Sequence, residues 1–149
     1  MSAPSRFVNG LLLFGGVAVT VFGAGIGSAA AETAVVVLTA ADEVPPNTSP
    51  GKGEANVDYD KATMKLTYKL SYSGLTGDAT AAHFHGPAAP GANAGVVVPI
   101  GSGAPANPTE GSATLTDAQA ADLLAGEWYV NVHTKANPGG EIRGQVVPK

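Results

Sequence analysis

Gly53-Glu54-Ala55-Asn56-Val57-Asp58-Tyr59, then Asp60-Lys61-Ala62-Thr63, then Lys65-Leu66-Thr67-Tyr68-Lys69-Leu70-Ser71-Tyr72: this stretch decides the fold. Successive side chains of a β-strand point to opposite faces. In the first run Ala55, Val57 and Tyr59 share one face, against Glu54, Asn56 and Asp58. In the second Leu66, Tyr68, Leu70 and Tyr72 oppose Lys65, Thr67, Lys69 and Ser71. Two alternating runs joined by four turn residues predict an antiparallel hairpin, apolar on one side.

The same reading extends in both directions. Strands are predicted near Ala34–Thr39, Gly53–Tyr59, Lys65–Tyr72, Ala79–His85, Gly95–Ile100, Gly111–Leu115, Trp128–His133 and Glu141–Val147. Gly, Pro, Asn and Asp separate them. Eight short strands with such punctuation predict an all-β domain, an eight-stranded Greek-key β-barrel or sandwich. One short helix interrupts the series. Thr116 and Gln119 make a capping box, Ala118, Ala120, Ala121, Leu123 and Leu124 favour the helix, and Gly126 stops it. The segments 45–51 and 101–108, rich in Pro and Gly, are loops. Asn47-Thr48-Ser49 is a formal glycosylation sequon, a weak signal taken alone.

The first 31 residues read as a secretory signal peptide rather than as part of the fold. Arg6 is a basic flank, an apolar run spans Val8 to Ile26, and Ala29-Ala30-Ala31 offers an A-x-A cleavage site. An uncleaved membrane anchor is the other reading of that run. Cleavage leaves residues 32–149, one domain with one core, expected in the periplasm or secreted and away from the membrane. Oligomeric state is not legible.

Charge and composition exclude several functions. Eight Lys/Arg against twelve Asp/Glu leave a net charge of −4, with no basic stripe for nucleic acid. Cysteine is absent, which removes thiol nucleophiles, disulfides and thiolate metal sites. There is no G-x-S-x-G context, no phosphate-binding glycine loop and no EF-hand spacing.

The three histidines carry the chemistry. His83 and His85 lie in Ala81-Ala82-His83-Phe84-His85-Gly86-Pro87, and His133 in Tyr129-Val130-Asn131-Val132-His133. Counting in twos, His83 and His85 share a face opposite Phe84, while Asn131 and His133 face away from Val130 and Val132. Two histidines at i and i+2 stand ~7 Å apart at Cα, within reach of one ion, and a third from a neighbouring strand completes a three-nitrogen set. Neutral imidazole suits Cu, Zn, Ni and Fe, with affinity among divalent ions peaking at copper. Copper is the expected metal and zinc the alternative. Binding needs deprotonated rings, so it is expected to weaken below about pH 6.

Four stretches resemble the CHRD domain family, named after the repeats of chordin. They are Glu43-Val44-Pro45-Pro46, Ala81–Ala88, Leu115-Thr116-Asp117-Ala118-Gln119, and Tyr129–Thr134 with Asn137–Gln145. The resemblance runs from about Val37 to Val147, so the CHRD domain is placed at 32–149. It implies a secreted or cell-surface β domain and little about activity.

His-x-His on one strand and Val-His-x-Lys on a later one are also similar to the copper half of Cu,Zn superoxide dismutase, an eight-stranded Greek-key barrel. This second resemblance implies a superoxide dismutase-like variant of the sandwich-barrel class, alongside the immunoglobulin-like one. It implies copper ligands at His83, His85 and His133, and an anion-guiding arginine at Arg143, the one catalytic candidate. No histidine remains for a zinc site and no disulfide is available, so a zinc-free copper site is the most that carries over.

Around the metal, Glu141 is a candidate to accept a hydrogen bond from a ligand imidazole. Asn131 is a second candidate neighbour, with packing at a strand edge as its other reading; Glu43 is expected to cap a loop or to hydrogen-bond into the site, with no mechanism assigned; and Trp128 and Tyr129 are expected to pack the barrel with a polar atom at a wet edge. The functional expectation is an exported copper-binding domain, with dismutation of superoxide or another small anion as the catalytic reading. The alternatives are non-catalytic copper buffering or delivery, and a metal-free adhesion or ligand-binding module.

Overall fold

The computed structural model describes residues 31–149. The predicted signal peptide, all but its last residue, lies outside the described residues. Eight strands form: β1 (Glu32–Thr39), β2 (Lys52–Asp60), β3 (Lys65–Ser73), β4 (Ala79–His85), β5 (Val96–Pro99), β6 (Thr109–Thr114), β7 (Trp128–Thr134) and β8 (Ile142–Val146). One helix, α1 (Asp117–Leu124), stands between β6 and β7. Its capping box is present: the Thr116 hydroxyl accepts from the Gln119 amide, and the Gln119 side chain accepts from the Thr116 amide. Among the described residues no helix is long and apolar enough to cross a membrane.

All eight strands belong to one antiparallel sheet in the order β5-β4-β7-β8-β1-β2-β3-β6. The sheet curls into a nearly closed barrel, with β5 and β6 as its two edges. After β3 the chain leaves the β1-β2-β3-β6 half for β4. It returns from β5 to β6, then crosses back through α1 to β7. These jumps between non-adjacent strands are Greek-key connections.

The hairpin that opened the sequence reading is present with its predicted faces. Val57 pairs with Ala34 on one side and Tyr68 on the other, and Ala55 pairs with Val36 and Leu70. All six are buried, while Glu54, Asn56 and Asp58 are exposed. The other half contributes Ala82, Phe84, Trp128, Val130, Val132, Ile142 and Val146. Tyr68 and Phe84 meet edge to face across the interior, ring centroids 5.3 Å apart, and so join the halves. Full burial of side chains this size contributes roughly 2–3 kcal/mol each.

The outer faces differ between the halves, and this difference positions the site. On β1 the outward Val35 and Val37 are 68% and 62% exposed. On β7 every residue is buried on both faces. Two long connections cover that half from outside: residues 40–51, which begin with a 3-10 turn (Ala40–Asp42), and residues 86–95 between β4 and β5. Beneath them lies a layer of polar side chains. Gly144 on β8 has its own reason: a Cβ there would stand 2.3 Å from the Val37 carbonyl oxygen, so only glycine lets β8 close onto β1.

Candidate metal centre

The register brings the histidines together. On the outer face His83 pairs with Asn131, Ala81 with His133, and His85 with Tyr129. On the far side of β7, Asn131 pairs with Arg143 and Tyr129 with Gln145. Asn131 therefore sits at the centre of the layer. One ligating nitrogen from each of His83, His85 and His133 lies within 4.8 Å of the other two.

The loops fix how these rings present themselves. His133 Nδ1 lies 3.0 Å from the Pro138 carbonyl oxygen, and His85 Nδ1 lies 3.0 Å from that of Ala94. A carbonyl only accepts, so both Nδ1 atoms carry the hydrogen, and in both rings Nε2 is left as the acceptor. His83 Nδ1 lies 3.0 Å from His133 Nε2 and donates to it. His85 Nε2 is buried with no hydrogen-bond partner among the described residues. An orphaned buried acceptor costs about 1–3 kcal/mol, and this one is free to take an electron-pair acceptor.

Electrostatics agree. Burial holds all three rings below the ordinary histidine range, and for His83 the neighbouring rings of His133 and His85 add to it. For His85 burial outweighs the opposing bond to Ala94, and for His133 it outweighs the bond to Pro138. The rings are neutral at pH 7, the form that binds metal. Imidazole–metal bonds of ~2.0–2.1 Å place nitrogens up to ~4 Å apart across the ion. A span of 4.8 Å closes with a few tenths of an ångström per ring. The donor set fits a single ion such as copper or zinc.

His83 is half-buried, whereas His85 and His133 are buried. Access to the three nitrogens is therefore from the His83 side. The His85 ring stacks on Tyr129, centroids 4.8 Å apart and 3° from parallel. The guanidinium carbon of Arg143 stands 3.4 Å from the centre of the same Tyr129 ring. The Tyr129 hydroxyl reaches the Ala94 backbone, not a wet edge, and the Trp128 indole N–H is buried without a partner among the described residues.

Arg143 does face outward, as its alternation predicts, but it is 2% exposed. Its guanidinium donates to Asn93 Oδ1 at 3.0 Å and to the Ala92 carbonyl at 2.7 Å. It thus pins the 86–95 loop, whose Ala94 orients His85. Arg143 also floors a cleft of about 410 Å³ between the two covering loops, beside Glu43 and Gln145.

Glu141 is not bonded to a histidine, and it lies just outside β8. Its fully buried carboxylate accepts from the Ser49 hydroxyl, the Thr76 amide and hydroxyl, Thr134 and Asn137. Burial would raise its pKa; these bonds outweigh that and bring it down to about 2. Glu141 ties the 47–51 and 74–78 segments to the end of β7. The outer partners of the ligand rings are the carbonyls of Ala94 and Pro138, which residue-type reasoning does not reveal. Asn47 is likewise engaged, donating to the Glu141 carbonyl and accepting from the Ser49 amide. Its amide serves the fold.

Glu43 caps the 3-10 turn, with its amide bonded to the Ala40 carbonyl. Its carboxyl is buried beside Asn131 and Gly140. A Cβ added at Gly140 would fall 2.3 Å from Glu43 Oε1 and 2.7 Å from Asn131 Nδ2. Burial pushes the Glu43 carboxyl up to about 7, although Arg143 opposes the shift.

An eight-stranded Greek-key barrel with a convergent histidine triad on its covered outer face is the class defined so far. The profile of the CHRD domain family matches residues 34–146. The chain belongs to the CHRD domain family. No curated protein and no solved structure matches it.

Proposed function

We propose that this CHRD domain binds one copper ion through His83, His85 and His133. The observation that carries the proposal is the presentation of the three nitrogens. Two Nε2 lone pairs are fixed by Nδ1–H bonds to backbone carbonyls, and one of them is buried with no other use. Copper is favoured over zinc because affinity for nitrogen sites peaks there, with no thiolate to shift the preference. The signal-like residues 1–31 support export, where the domain meets copper in the periplasm or outside the cell. Titration with copper against a competing chelator tests this. One equivalent is expected to bind wild type with much higher affinity than His133→Ala; equal affinities refute the proposal.

A second reading is dismutation of superoxide. Bound copper supplies a one-electron couple, and three nitrogen donors leave a position open for a small anion. The half-exposed His83 edge favours this reading. The cover over Arg143, whose guanidinium is spent on the 86–95 loop, favours holding and delivery instead. Superoxide decay with loaded protein separates them: dismutation requires a rate above that of free copper controls.

A further inference from the structure

Of four buried acceptor atoms without a hydrogen-bond partner among the described residues, Gln145 Oε1 lies on β8 opposite Tyr129 and three lie around Asn131: His85 Nε2, Asn131 Oδ1 and Glu43 Oε1. Of those three, the first is explained by the metal reading, on which the present inference rests. The other two belong to side chains that no step above uses. Asn131 is 2% exposed and central, opposite His83 on one neighbouring strand and Arg143 on the other. Its Nδ2 makes only a long contact, 3.5 Å, to the Gly139 carbonyl. That contact is too weak to decide which way the amide faces.

Glu43 supplies the missing determinant. Its carboxyl is 5% exposed, and Glu43 Oε1 and Asn131 Nδ2 border one space, kept open because residue 140 is glycine with φ +136. No hydrogen bond joins the two among the described residues; a small rotation that lets the carboxyl accept from Nδ2 would turn Oδ1 away from Glu43 and toward the histidines. An amide free to flip would instead point its NH2 at a ligand nitrogen and compete for the lone pair.

We infer that Glu43 is a positioning residue of the histidine site: it holds the Asn131 amide in the orientation that leaves the ligand nitrogens free for metal. Glu43 touches no ligand directly, and its oxygens are not part of the three-nitrogen cluster. Its place in the Glu43-Val44-Pro45-Pro46 loop thereby ties the cover to the site beneath it.

The test is copper affinity and the electron paramagnetic resonance spectrum of copper-loaded wild type, E43Q, E43A, N131A and E43A/N131A, with H133A as control. E43A is expected to lose affinity about ten- to hundredfold and to alter the copper hyperfine pattern. E43Q, whose side-chain carbonyl accepts the same bond, is expected to stay close to wild type. The double variant is expected to lose no more than N131A alone, because the two residues act along one path. A wild-type spectrum and affinity in E43A, equal losses in E43Q and E43A, or additive losses in the double variant would each overturn the inference. If E43A does not fold, E43D, whose shortened side chain withdraws the carboxyl from Nδ2, takes its place: it must lose affinity while E43Q does not, and E43D equal to wild type overturns the inference. Wild type no better than H133A removes the metal reading itself, and the inference with it. Wild type well above H133A with E43A unchanged removes the Glu43 inference alone.

Discussion

His83 Nδ1 donates to His133 Nε2 across 3.0 Å, and the opposite nitrogen of His133 donates to Pro138. In the metal-free protein one ligand ring therefore occupies the lone pair of another. Binding of the proposed copper at His83 Nδ1 would replace that bond and send the hydrogen on Nδ1 to the other ring nitrogen. Nitrogen-15 imidazole spectra of the metal-free protein should accordingly show all three rings neutral at pH 7 with the hydrogen on Nδ1. On loading, His83 alone should switch its tautomer. An Nε2–H form of His85 or His133 before loading would contradict the geometry.

Glu141 should matter to the fold more than to the metal. E141Q removes acceptor capacity from a buried carboxylate that serves Ser49, Thr76, Thr134 and Asn137. The expected loss is about 3 kcal/mol in urea unfolding at pH 7. The sign with pH follows from the lowered pKa. The carboxylate's stabilisation is complete above the ordinary glutamate value of 4.5 and is lost as pH falls toward its folded value of about 2. Wild type and E141Q should converge in stability across that window. A gap that stays constant from pH 6 to pH 2.5 would show that the charge is not the source.

Much of the fold is legible in the sequence because its strands keep a strict alternation. Leu66, Tyr68 and Leu70 face inward as predicted, and so do Val130 and Val132. The histidines are legible for the same reason, since His83, His85 and His133 each follow from a count of two. The second cover is less legible. Alternation says that Tyr129, Asn131 and Arg143 face outward, and nothing local says that the 40–51 and 86–95 connections fold over them. Glu141 was expected near a ring and instead anchors loops, because its partners are Ser49 and Thr76, distant in sequence. The groups that accept from His133 and His85 are the backbone carbonyls of Pro138 and Ala94, and composition carries no trace of them.

Arg143 should act on loop order before it acts on any anion. R143A removes the bonds to Ala92 and Asn93 and the contact with Tyr129. Faster amide hydrogen exchange is expected in residues 88–95, with weaker copper binding because Ala94 no longer orients His85. Unchanged exchange in that loop, with loss of superoxide reactivity alone, would restore the anion-guiding role.

Gly144 tests the closure of the sheet. G144A would drive a methyl group to 2.3 Å from the Val37 carbonyl oxygen and 2.6 Å from Val36 Cγ1. Separation of β8 from β1 is expected to cost about 3 kcal/mol, read as a lower thermal midpoint. A midpoint equal to wild type would mean that the two strands lie farther apart than described.

Whether one copper ion is held by three imidazoles is read most directly from the pulsed paramagnetic resonance spectrum of stoichiometrically loaded protein. The expected result is nitrogen couplings from three imidazoles, with one set lost in each of H83A, H85A and H133A. Couplings from fewer than three rings in wild type, or a spectrum that survives all three substitutions, would contradict a metal centre at these histidines.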